Sequence, residues 1–272
     1  MKHMDFAKRR EAMVEHKIAG RGVRSSLVLE AMRTVPREAF LPQHLREFAY
    51  EDSPLPIAEG QTISQPYIVA LMAEALELKG GEEVLEIGTG SGYAAAVLSR
   101  IAGNVYTVER IGQLAERAAT ALADLGYRNV HVLHADGTRG WPDHAPYDAI
   151  VVAAGGPEVP ESLKRQLKIG GRLVIPVGAD RQLQELVRVV RVSQHKYRAE
   201  DLADVRFVPL VGAEGWAPEG RGATVREARA AGNTEGPART VAAASESIDG
   251  VDSADLEPLL RRIGDARVVL IG

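Results

Sequence analysis

Between residues 83 and 178, five short runs rich in valine and isoleucine alternate with helical stretches, and this alternation constrains the fold more than any other feature. The runs are EVLEIG (83–88), NVYTVE (104–109), NVHVLHAD (129–136), YDAIVVAAG (147–155) and GRLVIPVG (171–178), mostly bounded by Gly, Asp or Asn. The stretches AAAVLSRIA, IGQLAERAATALADLG and PESLKRQLKIG lie between them. Strands alternating with helices predict an α/β protein with a doubly wound, mostly parallel sheet covered on both faces. QELVRVVRVS (184–193) and DVRFVPLVG (204–212) follow with no clear helix between them, so an antiparallel pair is expected to finish the sheet.

The flanks read differently. From about residue 5 to 48 the pattern is helical, with apolar residues three and four apart in SSLVLEAMRTV and a break at Pro36. Another helical pattern, IVALMAEALEL (68–78), precedes the first strand. Beyond Gly212 the chain is dense in Gly, Ala, Pro, Ser and charge, the composition of a linker. Its last stretch, ADLEPLLRRIGDARVVLIG, resumes a helix and a strand, too little to bury a core alone. The expected division is a main domain over 1–212, with a helical part (1–80) and an α/β core (81–212). A flexible linker (213–250) and a helix–strand tail (251–272) follow.

Composition narrows the function. The 272 residues are 45% apolar and 26% charged, enough for a sizeable core. A net charge of -4 carries no electrostatic footprint for nucleic acid, and the Lys and Arg residues before position 50 are interleaved with acids. The absence of cysteine excludes disulfides, thiolate metal sites and a cysteine nucleophile. His131 and His134 have no third ligand at a zinc spacing, so they read as sheet residues and no metal is expected. Trp141 and Trp216 read as packing residues. The N-terminus lacks the apolar centre of a signal peptide, and no run approaches the roughly 20 apolar residues that span a bilayer. A cytoplasmic protein with no membrane partner is the expectation.

The sharpest chemical signal follows the first strand. Glu86-Ile87-Gly88-Thr89-Gly90-Ser91-Gly92 has a glycine at every second position between a buried strand and a helix, where the backbone turns tightly and approaches a ligand closely. Ligands of open α/β sheets bind outside the carboxyl ends of strands, where this loop falls. The third glycine comes one residue early for a dinucleotide fingerprint, and Glu86 precedes the first, a pattern that favours S-adenosylmethionine over NAD. Glu109, at the end of the second strand, could accept both hydroxyls of a ribose, or be an ordinary strand-end carboxylate. Asp136 and Gly137, ending the third, could meet an adenine amino group or form a plain turn.

One segment stands apart from this periodicity. GQTISQPY (60–67) gathers Gln61, Thr62, Ser64 and Gln65 just before a helix, where Ser and Thr cap free amides and Pro66 suits a first turn. Taken with VPREAFLP (35–42), VLEIGTGSGY (84–93), the VER of 108–110, PYDAIVV (146–152), GGRLVIPVG (170–178) and VRFVPLV (205–211), it resembles the protein-L-isoaspartate O-methyltransferases. The resemblance covers about residues 5–212 and departs at Ala135, where many members have glycine.

The resemblance implies a Rossmann-like class I methyltransferase sheet with N-terminal helices, using S-adenosylmethionine on isoaspartyl proteins or peptides, and a monomer is expected. It implies that Gln61, Glu86, Gly88, Thr89, Gly90, Ser91, Gly92, Glu109, Arg110, Asp136 and Gly137 bind the methyl donor. Ser64 would be the catalytic residue, holding the substrate carboxylate, with Thr62, Ile63 and Val208 beside it. The methyl ester formed closes to a succinimide, whose hydrolysis restores part of the material to aspartate. LEPLLRRIGDARVVLIG is similar to the opening of erythromycin-esterase-type domains, without their Gly-Glu-Ala-Thr-His motif, so no esterase function is implied. Rival readings are an aspartate methyltransferase that forms a stable aspartimide in a modified peptide, a non-catalytic module that binds damaged protein, and an NAD-dependent oxidoreductase.

Overall fold

A computed structural model describes residues 5–181 and 183–218. The chain opens on α1 (Phe6–Ala12), continued by a π turn over Met13–Ile18, and then α2 (Ser26–Thr34). The Ser25 hydroxyl caps α2 by accepting from the Val28 amide. A small antiparallel pair, β1 (Leu55–Pro56) and β2 (Thr62–Ile63), leads into α3 (Pro66–Ala75). The α/β part runs β3 (Glu83–Ile87), α4 (Tyr93–Ser99), β4 (Asn104–Glu109), α5 (Gly112–Asp124) and β5 (Val130–His134). It continues through β6 (Tyr147–Val152), α6 (Glu161–Gln166), β7 (Leu167–Val177), β8 (Gln184–Ser193) and β9 (Lys196–Val205).

Seven strands form one sheet in the order β5-β4-β3-β6-β7-β8-β9. Pairing is parallel as far as β7 and antiparallel from β7 to β9. From β3 the chain winds outward to β5 on one side, then crosses to β6 on the other, so a crevice opens at the carboxyl end of β3. Central strands are buried on both faces. Val84 joins the core shared with the N-terminal helices and α4, whereas Leu85 and Ile87 pack with Leu163, Leu167 and Leu173 on the other face.

Three local expectations are corrected. The helix expected over 160–170 is only Glu161–Gln166, because Leu167 already pairs with Tyr147 and begins β7. The second strand of the antiparallel pair is Lys196–Val205, not 204–212, and beyond it only isolated bridges form at Pro209 and Val211. Pro209 has no N–H to give a ladder, while the charges of β9 suit an exposed edge. No side chain of GQTISQPY caps α3, although Pro66 does occupy its first turn. Asp52, far back in the sequence, accepts from the Tyr67 amide at 3.0 Å instead.

The expected tail over 251–272, with its likeness to an esterase opening, lies outside the described residues, as does most of the expected linker. Among the described residues no helix is long and apolar enough to cross a membrane, and no cluster of His, Asp or Glu could hold a metal ion. His131 is an exposed residue of edge strand β5, its ring stacked 5.1 Å from Tyr106.

Candidate active site

The turn after β3 is built by glycine. Gly88, Gly90 and Gly92 have φ of 94°, 54° and 88°, a left-handed backbone that strains other residues. A side chain at Gly92 would also meet Leu122 Cδ1 at 3.1 Å, so this glycine lets the turn lie against α5. The Gly88 amide donates to Val108 O at 2.9 Å, and the Gly92 amide to Thr89 O at 2.8 Å.

Glu109, at the end of β4, is 6% exposed and ties that turn to the next strand. Its Oε2 accepts from the Gly90 amide at 3.0 Å and its Oε1 from the Ile111 amide at 2.9 Å. A carboxylate has about four acceptor sites, so two bonds leave it able to accept two more.

Behind the turn, Glu86 is fully buried. Its Oε2 accepts from the Thr107 hydroxyl at 2.6 Å, and Thr107 Oγ1 lies 2.6 Å from Thr89 Oγ1. Its Oε1 has no partner among the described residues. Burial pushes the Glu86 carboxyl up to about 8; the Thr107 bond opposes the rise and nearby Glu109 adds to it. Burial thus favours the neutral form of Glu86, which supports the turn from behind.

The opposite wall is the segment from β2 into α3. The Ile57 amide donates to Gln61 O at 2.8 Å, closing the hairpin that presents Thr62, Ile63 and Ser64. The Ser64 carbonyl accepts from Arg37 Nη2 at 3.1 Å, but the Ser64 hydroxyl makes no hydrogen bond among the described residues. Gln65 turns away, its Nε2 donating to Asp52 O and Oδ2, both at 2.9 Å.

These walls enclose one cleft of about 800 Å³, open solvent at its mouth included. Gln61, Thr62, Ile63 and Ser64 line it from one side, and Gly88, Thr89, Gly90 and Ser91 from the floor. Glu109, Arg110, Gly137 and Val208 complete the set of expected residues that reach it. Glu86, Gly92 and Asp136 are outside the lining. Asp136 Oδ1 accepts from the Thr138 amide and hydroxyl at 3.0 and 2.7 Å, and its Oδ2 from the Ala213 amide at 2.8 Å. Burial alone would raise the Asp136 carboxyl, but the bonds from Ala213 and Thr138 and the charge of Arg139 outweigh it and hold it below the usual carboxylate value. Asp136 thus secures the C-terminal loop, where Trp216 Nε1 donates to Gly155 O at 2.9 Å.

Sequence reasoning missed Tyr93, Ile111, Ala153 and the run Pro209–Val211, all of which line the cleft. Ala153 follows β6 at the carboxyl edge of the sheet, and Tyr93 follows the last glycine, so position alone could have found these two. Pro209–Val211 falls inside a run with the pattern of a strand, which conceals it.

A glycine turn with a strand-end carboxylate beside it, at the switch point of a sheet wound in both directions, defines an α/β protein of the class I methyltransferase type. The sequence profile of the family Protein-L-isoaspartate(D-aspartate) O-methyltransferase matches residues 8–215, and the chain belongs to that family. It is 67% identical over 228 residues to Protein-L-isoaspartate O-methyltransferase 1 of Rhodopseudomonas palustris strain HaA2, covering 82% of this chain and 93% of that one. Protein-L-isoaspartate O-methyltransferase 2 of Pelobacter propionicus is 65% identical over 208 residues, 76% of this chain and 92% of the relative. A solved protein-L-isoaspartate O-methyltransferase superposes with a TM-score of 0.69 at 34% identity, over 76% of this chain and 67% of the other. A putative protein-L-isoaspartate O-methyltransferase of Plasmodium falciparum, solved with S-adenosyl-L-homocysteine, gives 0.62 at 25% identity, over 73% and 96%.

Proposed function

We propose that this chain transfers a methyl group from S-adenosylmethionine to the free carboxylate of L-isoaspartyl residues in damaged proteins or peptides, the opening step of their repair. One observation carries the reading: a single cleft joins the Ser64 hydroxyl, without a partner among the described residues, to the Glu109 carboxylate held by two backbone amides. Family membership supplies the substrate class.

The residues present fit such a donor. S-adenosylmethionine supplies an electrophilic methyl on a positively charged sulfur. Glu109 has acceptor capacity left for the two hydroxyls of a ribose, and the positive-φ turn from Gly88 to Gly92 brings backbone close to the ligand. Gln61, Thr89, Ser91, Arg110 and Gly137 would share the binding, with Glu86 and Gly92 supporting the turn from behind. Asp136 would act through the C-terminal loop that it secures.

On the substrate side the chemistry asks for position. An isoaspartyl carboxylate is ionised at neutral pH, so no general base is needed. Ser64 would donate to one carboxylate oxygen and leave the other aimed at the methyl, while Thr62, Ile63 and Val208 confine the peptide. Orientation and exclusion of water then lower the barrier.

A methyltransferase domain over 1–212 followed by a linker and tail remains part of the proposal. The bonds of Ala213, Glu214 and Trp216 to Asp136, Ser162 and Gly155 favour a boundary a few residues later. A monomer acting in the cytoplasm without nucleic acid or membrane is likewise part of the proposal.

The test is methyl transfer from labelled S-adenosylmethionine to a synthetic isoaspartyl peptide, against the same peptide with normal aspartate. Transfer to the isoaspartyl form alone is the expected result. No transfer to either, with donor binding intact, would overturn it in favour of a specialised peptide substrate or a binding role.

A further inference from the structure

Among the described residues Arg37 is the largest fully buried side chain. It opens the 3-10 turn Arg37–Phe40 and makes no ion pair among the described residues. Three main-chain carbonyls take its place as partners. Nη1 donates to Ala49 O at 2.5 Å, and Nη2 to Ser53 O at 3.2 Å and Ser64 O at 3.1 Å. The guanidinium carbon stands 5.8 Å from the ring centre of Tyr93, a residue of the cleft. Burial lowers the guanidinium to about 10, against small opposing effects from Tyr93, Asp52 and Tyr50.

A cation buried without a counter-ion is a costly way to fill a core, where an apolar side chain of the same volume serves packing better. What the guanidinium does, and an apolar side chain cannot, is bind three separated pieces of backbone at one point. Two of those pieces belong to the loop at 49–53 and the third is Ser64 itself. The same loop carries Asp52, whose carboxylate accepts from the Tyr67 amide at 3.0 Å and Gln65 Nε2 at 2.9 Å, and from Arg21 Nη1 at 2.7 Å. Ser64 is thus gripped at its carbonyl, and the residues after it at an amide and a side chain. Only its hydroxyl is left to the cleft.

From this geometry we infer that Arg37 is a positioning residue for methyl transfer, fixing the Ser64 carbonyl so that the Ser64 hydroxyl meets the substrate carboxylate. The inference rests on the function proposed above. Arg37 is fully buried and does not line the cleft, so it acts through Ser64. Lysine keeps the charge but has no planar fork to span Ala49, Ser53 and Ser64 together.

A double-mutant cycle tests this. Turnover of the isoaspartyl peptide is measured for wild type, Arg37→Lys, Ser64→Ala and the double variant, with donor affinity by calorimetry and a thermal melt for each. Arg37→Lys should lower kcat about 10- to 100-fold, the scale of a small misplacement at a reacting group. Donor affinity should change by no more than about twofold, and in the Ser64→Ala background Arg37→Lys should cost almost nothing further. If the two penalties multiply, or kcat falls only in step with donor affinity or folded fraction, Arg37 is merely structural and the inference is overturned. Should Arg37→Lys fail to fold, Arg37→Gln takes its place in the cycle. A wild type that transfers no methyl to the isoaspartyl peptide would overturn the functional reading and the inference with it.

Discussion

Glu109 Oε2 accepts the amide of Gly90 at 3.0 Å, so the carboxylate ending β4 and the glycine turn after β3 are a single rigid unit. The Ile111 amide on Oε1 completes the clamp. Glu109→Ala should therefore weaken S-adenosylmethionine binding about 10- to 100-fold, since hydrogen bonds to a charged group are worth roughly 1.5–3 kcal/mol. Titration calorimetry checks this, and equal affinity in the variant would remove Glu109 from the donor site.

Ser64→Ala should lower kcat on an isoaspartyl peptide by about 10- to 100-fold with donor affinity preserved, because the lost hydroxyl orients only the substrate. Ser64→Thr, which keeps a hydroxyl, should recover part of the rate. Steady-state kinetics on both variants decide it. A fall in donor affinity matching the fall in kcat would place Ser64 in donor binding instead.

Glu86 links pH to stability. Burial raises its pKa from 4.5 to about 8, so between those values the folded chain holds a proton that the unfolded chain has lost. Stability must then fall as pH rises through that window, by up to about 1.4 kcal/mol per pH unit from this group. Glu86→Gln removes the titration while keeping a partner for Thr107. Urea unfolding at several pH values should show the variant gaining on wild type from about pH 5 to about pH 8 and then holding level. A difference independent of pH would mean that Glu86 titrates normally.

Gly92 combines a φ of 88° with a would-be Cβ contact of 3.1 Å to Leu122. Gly92→Ala should cost about 2–4 kcal/mol, the sum of a left-handed alanine and a crowded core. Gly81, with φ of 89° and open space around it, serves as control, and Gly81→Ala should lose only the backbone part. Thermal melts of both read the difference, and equal losses would show that contact with Leu122 plays no part.

Much of this was legible in the chain. The five parallel strands lie close to where the Val- and Ile-rich runs put them, and for the central β3, β4 and β6 the reason is burial on both faces, which keeps a strand largely apolar. The glycine turn and Glu109 were found by spacing alone. The last strand lies at Lys196–Val205 and not at 204–212, although DVRFVPLVG looks like a strand and KYRAEDLADV does not. An edge strand is selected for charge that deters pairing, and that erases the apolar signal. Local capping rules also pointed Ser and Thr of GQTISQPY at α3, whereas Asp52 of a separate loop performs the capping.

The sequence by itself determined the alternation of strand and helix, the positive-φ turn and the carboxylate at the end of β4, because each depends on neighbours within a few residues. Tertiary structure alone decided that Arg37, Asp52 and Ser64 converge, that Asp136 faces Ala213 instead of the cleft, and that Pro209–Val211 forms part of its wall. Those contacts join segments with no common period, and they exist only once the sheet has closed and burial has left each polar group in need of a partner.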